Sequence, residues 1–347
     1  MENIWYIFLN AQKEEHMNTI RTIAPGAGLA VLIAAAARGI ESLLPVHLIG
    51  APVAALFIGI ACHQFIKDAY YFAPGLTFCS KRVLKFAIIL LGGSLSAGVL
   101  LHVGKLSLVV MIFTLFTCFG GGALIGRALG LNWKLSNLIS AGTGICGGSA
   151  IAALAPAIDA KEEDISYALS ATFIFDMIMV VLFPLLGTRL GLSDMAYGLW
   201  AGTAVNDTSS VVAAGYAFSE AAGDFAAMVK LTRTLSIIPV VLIFSAIHAS
   251  SAQKTESVSI KGLLPVFILL FVVMAVMNSI GVISPGVAGH LKSVSSFLMV
   301  VSLAAIGLST DVRKMVSAGA APMIHGFLIS SLVVIVAITV QVFMGLV

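Results

Sequence analysis

An all-α polytopic membrane protein is the fold class this chain predicts, on three observations. Of its 347 residues 59% are apolar and only 10% charged, its mean hydropathy is +1.07, and unbroken apolar runs such as Val109-Val110-Met111-Ile112-Phe113 recur along it. Soluble domains carry about 25% charged residues. A transmembrane β-barrel would alternate polar and apolar residues over about ten positions, and these runs do not.

A helix needs about 20 apolar residues to cross a hydrocarbon core of about 30 Å. On that measure about eleven transmembrane helices are expected, at 22–38, 47–66, 83–103, 106–126, 136–157, 165–187, 195–217, 224–247, 262–283, 293–310 and 321–345. The connections are short, so 22–347 reads as a single transmembrane domain. Residues 1–21 read as a cytoplasmic interfacial arm, because Trp5 to Leu9 is too short for a signal-peptide core and Lys13, Glu14 and Glu15 follow it.

Basic residues set the expected orientation, since short cytoplasmic loops are rich in them. Lys13, Arg21, Lys67, Lys81, Arg82, Lys85, Arg127, Lys134, Arg189, Lys254, Lys261, Arg313 and Lys314 fall in alternate loops, against Arg38, Lys105, Lys161 and Lys292 in the others. This puts the N-terminus in the cytoplasm and the C-terminus outside. Cys62, Cys118 and Cys146 fall in expected spans and Cys79 in a cytoplasmic loop, so no disulfide framework is expected. No Cys/His spacing suggests a metal, and no cofactor or nucleic-acid partner is expected.

Function is written where polar residues interrupt the spans, because an ionisable group in hydrocarbon usually has a partner or lines a wet cavity. One interruption is Ala201-Gly-Thr-Ala-Val-Asn206-Asp207-Thr208-Ser209-Ser-Val-Val-Ala-Ala214, with Ser210 the second of its paired serines. Sixty positions earlier stands Ala141-Gly-Thr143-Gly-Ile-Cys146-Gly147-Gly148-Ser149-Ala-Ile-Ala-Ala153, which shares Ala-Gly-Thr, the serine and the last alanine. Counting about 1.5 Å per residue, Cys146, Asp176, Asn206, Asp207 and Arg233 fall near the bilayer midplane in four consecutive spans, with Lys230 about one turn away. Gly142, Gly144, Gly147 and Gly148 each weaken a helix by about 1 kcal/mol and allow a break. Discontinuous helices of this kind aim their ends at solute and ion in secondary transporters.

Lys230 and Arg233, at i and i+3, project from one face. They are read as counter-ions to Asp207 or Asp176, as a receptor for an anionic solute, or as internally paired. Asp176, flanked by Phe175 and Met177, suits a proton relay or a carboxylate held by a neighbouring helix. Asn206, Asp207, Thr208 and Ser209 also offer oxygens for sodium. The four ionisable groups sum to zero, so an arriving anion would bring a proton or cation with it. His63 and His325 read as packed histidines, and Asn278 and the serines of the last two spans as interhelical donors. A fainter match at an offset of 215 pairs Gly92, Ser94 and Gly104 with Gly307, Ser309 and Gly319, as an inverted repeat would.

Gly144-Ile-Cys146-Gly147-Gly148-Ser149, Ala201 to Gly215, Val229-Lys230-Leu-Thr232-Arg233, Leu90-Leu-Gly92 and Ala305-Ile-Gly307-Leu308-Ser309 resemble the YeiH-like family of bacterial membrane proteins, the sulfate-exporter group. The resemblance runs from about Ala24 to the C-terminus. It implies a multi-pass inner-membrane secondary transporter, similar to the bile-acid, arsenite and riboflavin transporter group, with inverted-topology repeats and crossed discontinuous helices. Some family members carry His-Glu-x-x-Gln where this chain has Asn206 to Ser210; the acidic position is kept as Asp207, the His and Gln are not.

The expected function is therefore export of a small anionic solute, such as sulfate, sulfite or an organosulfonate, coupled to protons or sodium. An uncoupled channel is the alternative. No HExxH or GxSxG motif supports an enzyme. Beyond the solute, the coupling ion and the lipid bilayer, the partner left open is a second copy in a homo-oligomer.

Overall fold

The computed structural model describes residues 2–43, 51–64, 69–252, 266–309 and 320–347, and these are helical throughout apart from turns. The helices are α1 (Glu2–Leu43), α2 (Ala51–His63), α3 (Ala69–Phe78), α4 (Leu84–Gly92), α5 (Ala97–Phe116), α6 (Gly122–Ala128), α7 (Trp133–Ala141), α8 (Gly148–Ala157), α9 (Glu162–Arg189), α10 (Asp194–Ala204), α11 (Thr208–Phe218), α12 (Glu220–Thr234), α13 (Ile237–Ala252), α14 (Val266–Ser279), α15 (Pro285–Ser309) and α16 (Ala320–Phe343). Among the described residues six helical stretches are long and apolar enough to cross a membrane. The protein is a polytopic helical membrane protein.

The structure redraws the third and fourth expected spans. Instead of ending near residue 103, the chain turns at Gly93–Leu95, where Gly93 N, Ser94 N and Leu95 N bond the carbonyls of Leu90, Leu91 and Gly92. Ser96 then caps α5 by accepting from Val99 N. From there Ala97–Ala128 runs as one helical span of 32 residues, straight through Gly104 and Lys105, with a π-helical turn at Thr117–Gly121. The apolar run is continuous across Gly93–Leu95, so hydropathy cannot locate the turn; the N-cap serine does.

Upstream, the expected loop up to residue 82 is helical from Ala69, passing from α3 to α4 through a π-helical turn at Cys79–Val83. Cys79 is buried there, and Lys81, Arg82 and Lys85 lie on a helix rather than in a loop. Lys105 and Lys292 are likewise helical. Lys67, Lys254, Lys261, Arg313, Lys314 and Gly319 lie outside the described residues, as do 47–50, 65–66, 262–265 and 310 of the expected spans. All four cysteines are free.

The chain divides into two compact units, Met1–Ile88 with Ser293–Asp311, and Ile89–Lys292 with Val312–Val347. The first packs small residues, Ala30, Ala34, Ala37, Ala51, Ala55, Ala304 and Ala305, into its core, as membrane helices do where backbones approach closely. At the α1–α3 crossing a methyl on Gly26 would lie 2.9 Å from Gly75 Cα, so only glycine fits. In this unit His63 Nδ1 meets Leu308 O at 2.7 Å, and Ser295 Oγ donates to Ala87 O at 2.7 Å.

The second unit contains every candidate site residue. Its core centres on Leu138, Ile139, Ile145, Ile151, Leu154 and Val241. Asn278 Nδ2 donates to Leu95 O at 3.1 Å and holds α14 against the turn before α5.

Candidate functional site at two broken helices

The two matching segments are both broken. In the first, α7 loosens into a π-helical turn at Gly142–Cys146, Gly147 takes φ +67° and ψ −133°, and α8 restarts at Gly148. In the second, α10 ends at Ala204, Val205 and Asn206 are non-helical, and α11 restarts at Thr208 with Asp207 as its N-cap. Gly147 and Asp207, equivalent positions of the repeat, touch. A methyl on Gly147 would sit 3.0 Å from both Cβ and Oδ1 of Asp207 and 3.1 Å from its Cα. Glycine is required there twice over, for its positive φ and for the space.

A broken helix strands amide N–H and carbonyl groups that must find partners away from water. The buried charged residues supply them. Asp176, on α9, accepts from Asn206 N with Oδ1 and from Asp207 N with Oδ2, both at 2.9 Å. Lys230, on α12, donates to Ile145 O at 2.7 Å and Val205 O at 3.0 Å; these too are matching positions of the two segments. Arg233 donates through Nε to Gly144 O at 2.7 Å, through one terminal nitrogen to Val205 O at 3.1 Å, and through the other to Thr143 O. Asp176, Lys230 and Arg233 are at most 1% exposed.

This geometry fits the internally paired alternative for Lys230 and Arg233, with backbone carbonyls as the partners. The ion pairs among the described residues lie elsewhere, and both cations are engaged by backbone carbonyls. Asp176 is a carboxylate held by the neighbouring broken helix, not one flanked only by apolar side chains.

Asp207 is half-buried; its Oδ2 accepts from Ser209 N at 2.8 Å and also from Ser209 Oγ. Thr208, Ser209, Ser210 and Gly148 are half-buried and Ser149 exposed, whereas Cys146 is buried in the π-helical turn. α8 starts without a side-chain cap. The first turns of α8 and α11 thus form the accessible polar surface, and the charged framework lies behind them.

Sequence reasoning grouped Ser330 of α16 with the other interhelical serines of the last two spans and did not place it at the site. Its Oγ receives Asn206 Nδ2 at 3.4 Å and stands 3.5 Å from Thr143 Oγ1. The available signal was weak, one serine among several in an apolar span. His325 is a packed histidine, with Nε2 2.9 Å from Gly122 O and 3.2 Å from Ser136 Oγ.

With this geometry in place, comparison with known proteins is informative. Residues 25–326 match the family described as conserved hypothetical protein 698. The chain belongs to that family. It is the YeiH-like family that the motifs resemble. A UPF0324 membrane protein of Clostridium tetani is 51% identical over 340 residues, covering 94% of this chain and 99% of the relative. One from Streptococcus agalactiae is 38% identical over 330 residues (92% and 97%), and one from Fusobacterium nucleatum 34% identical over 341 residues (92% and 98%). Membrane residence is part of each relative's name, and this family member has the helices for it.

Proposed function

We propose that this family member is a secondary active transporter that exports a small anionic solute, such as sulfate, sulfite or an organosulfonate, by alternating access coupled to protons or sodium. The observation that carries the reading is the contact between Gly147 and Asp207, which brings the N-terminal ends of two half-helices together. Each helix N-terminus carries roughly half a positive charge and suits an anion. Lys230 and Arg233, held by carbonyls, build the frame; the solute meets the first turns of α8 and α11, with Ser149, Thr208 and Ser209 offering hydroxyls.

Asp207 supplies the coupling. Ionised, it occupies the positive end of α11 itself and repels an arriving anion. Protonated, it leaves both half-helix ends to the solute, so proton and anion are favoured together. Inverted-topology repeats, a common basis of alternating access, belong to the proposal; the Ala-Gly-Thr match instead relates two spans that the sequence counts as running in the same direction. The proposed setting is a bacterial inner membrane with the N-terminus in the cytoplasm and the C-terminus outside.

Reconstituted vesicles test it. Wild type should give saturable counterflow of labelled sulfate, sulfite or an organosulfonate, and Asp207→Asn should abolish ion-driven uptake. Passage without saturation or counterflow would identify a channel. Ion-driven uptake undiminished in Asp207→Asn would remove Asp207 from the coupling.

A further inference from the structure

The four half-helices at the site are short. α7 has nine residues, α8 ten, and α10 and α11 eleven each, so at about 1.5 Å per residue each reaches about half of a hydrocarbon core of about 30 Å. Two such halves can run on in one direction as a broken span, or fold back as a hairpin. Contacts between their outer ends decide which.

At the first break, Lys134 near the start of α7 meets Asp159 just beyond α8, with Nζ 3.8 Å from Oδ2 and donating to Asp159 O as well. Asn132, the N-cap of α7, donates to Asp164 Oδ1 at 2.9 Å. At the second, Ser219, which follows α11, donates to Asp194 Oδ1 at the start of α10 at 2.6 Å. One turn further in, Tyr197 OH donates to Ala214 O at 2.8 Å, and its ring stacks on Phe218 with centroids 4.0 Å apart. Lys134 and Asp159, like Asp194 and Ser219, are 25 residues apart, and a continued helix would hold such residues about 37 Å from each other. Both segments therefore double back.

The hairpins open in opposite directions. α9, with 28 residues, is about 42 Å long and runs from one open end to the other. Its first turn carries Asp164, bonded to Asn132, and near its last turn a methyl on Gly187 would lie 3.1 Å from Phe218. Its middle serves the tips: Asp176 holds the amides of Asn206 and Asp207, and a methyl on Gly142 would lie 2.8 Å from Thr172 Oγ1.

We propose that residues 133–157 and 194–218 are re-entrant hairpins that enter the bilayer from opposite faces and meet tip to tip at Gly147 and Asp207. The expected spans 136–157 and 195–217 then do not cross, and the two matching segments are an inverted duplication. Ser149 stands on a leg, α8, that leads to one face, and Thr208 and Ser209 on a leg, α11, that leads to the other. Basic residues leave no trace of this, because the change moves Lys161 and Arg189 to each other's face and keeps the balance the same. Removing two crossings also leaves both termini on the faces expected for them. Service of each hairpin as the lid of its own face rests on the transporter reading; the hairpins themselves do not.

The test is single-cysteine labelling of the full chain in sealed membrane vesicles of both orientations, with a membrane-impermeant maleimide. Arg127→Cys, Lys161→Cys, Arg189→Cys and Ala221→Cys replace exposed residues near the four outer ends. Three native cysteines are buried and Cys62 is half-buried, so wild type sets the baseline. Positions 127 and 161 should label from one face, and 189 and 221 from the other. Two crossing spans would instead alternate the labelled face at each successive position. Either pair split between faces, or all four on one face, overturns the proposal. Should a variant fail to insert, a short bismaleimide on Lys134→Cys with Asp159→Cys, and on Asp194→Cys with Ser219→Cys, gives a second readout. Linked peptides from both double variants are expected, and their absence from either overturns the hairpins. Lack of counterflow together with the hairpin labelling pattern would end the transporter reading and leave the hairpins standing.

Discussion

Gly147 and Asp207 occupy matching positions of two similar segments, sixty residues apart, and they meet where two broken helices restart. Lys230 makes the relationship reciprocal, since its ammonium binds Ile145 O of one copy and Val205 O of the other, again sixty residues apart. Arg233 bridges the same two breaks, through Gly144 O and Thr143 O of the first and Val205 O of the second, whereas Asp176 serves the second break alone.

Gly147→Ala should be among the most damaging single-methyl changes in the chain. It places a side chain at φ +67° and ψ −133°, a conformation that costs a non-glycine residue about 1–3 kcal/mol, and sets it 3.0 Å from Asp207 Oδ1. The expected result is a Tm several degrees below wild type with loss of counterflow; an unchanged Tm would mean that the two breaks do not meet as described.

Asp176 should behave as a two-armed acceptor. Asp176→Asn keeps one acceptor oxygen for two amides, and Asp176→Ala keeps none, so Tm should fall in the order wild type, Asn, Ala, by about 1–3 kcal/mol per orphaned amide. Equal stability of the two variants in a detergent melt would contradict the fork of Asn206 N and Asp207 N.

Arg233→Lys should fail to replace Arg233. A guanidinium reaches Gly144 O, Val205 O and Thr143 O in one fixed fan, a geometry that an ammonium on a flexible stem cannot copy. Labelling of Cys146, which is 2% exposed, by a membrane-permeant maleimide should be slow in wild type and faster in Arg233→Lys and Arg233→Met. Identical labelling in all three would show that Arg233 does not hold the π-helical turn closed.

Lys292 stands 3.4 Å from Glu220 Oε1 and 3.2 Å from Asp224 Oδ2, and Tyr216 donates to Asp224 Oδ1 at 2.5 Å. Because Lys292 is 43% exposed, its coupling to Asp224 should be modest, about 1 kcal/mol or less. A double-mutant cycle with Lys292→Gln and Asp224→Asn, read by Tm, checks it; a coupling of several kcal/mol would mean the pair is far better shielded than its exposure indicates.

Much of the candidate site was legible along the chain. Ala-Gly-Thr, repeated before Cys146-Gly147-Gly148 and before Asn206-Asp207-Thr208, drew attention to both segments, and the glycines of the first allowed a break there. What depth counting could not reveal was who binds whom. It grouped Asp176, Asp207, Lys230 and Arg233 by level and left their partners open among charges, solute and neighbouring helices, whereas the structure pairs each of Asp176, Lys230 and Arg233 with backbone. Every residue carries a carbonyl and almost every one an amide, so such partners leave no mark in the sequence. The place of Ser330 at the site stayed hidden for a related reason, since only the packing of α16 against the breaks distinguishes it from its neighbour Ser331.

The turn at Gly93–Leu95 makes the same point for the fold. Length and apolarity determined that the chain is helical and membrane-spanning, because in hydrocarbon a helix satisfies its own backbone. The glycine run Gly142–Gly148 marked where one of those helices could fail to do so. Only the tertiary structure decided which groups repair the failure: Asp176 on the amides, Lys230 and Arg233 on the carbonyls. A stranded backbone group bonds whatever donor or acceptor the packing brings within reach, and that proximity is a property of the assembled helices rather than of any one segment.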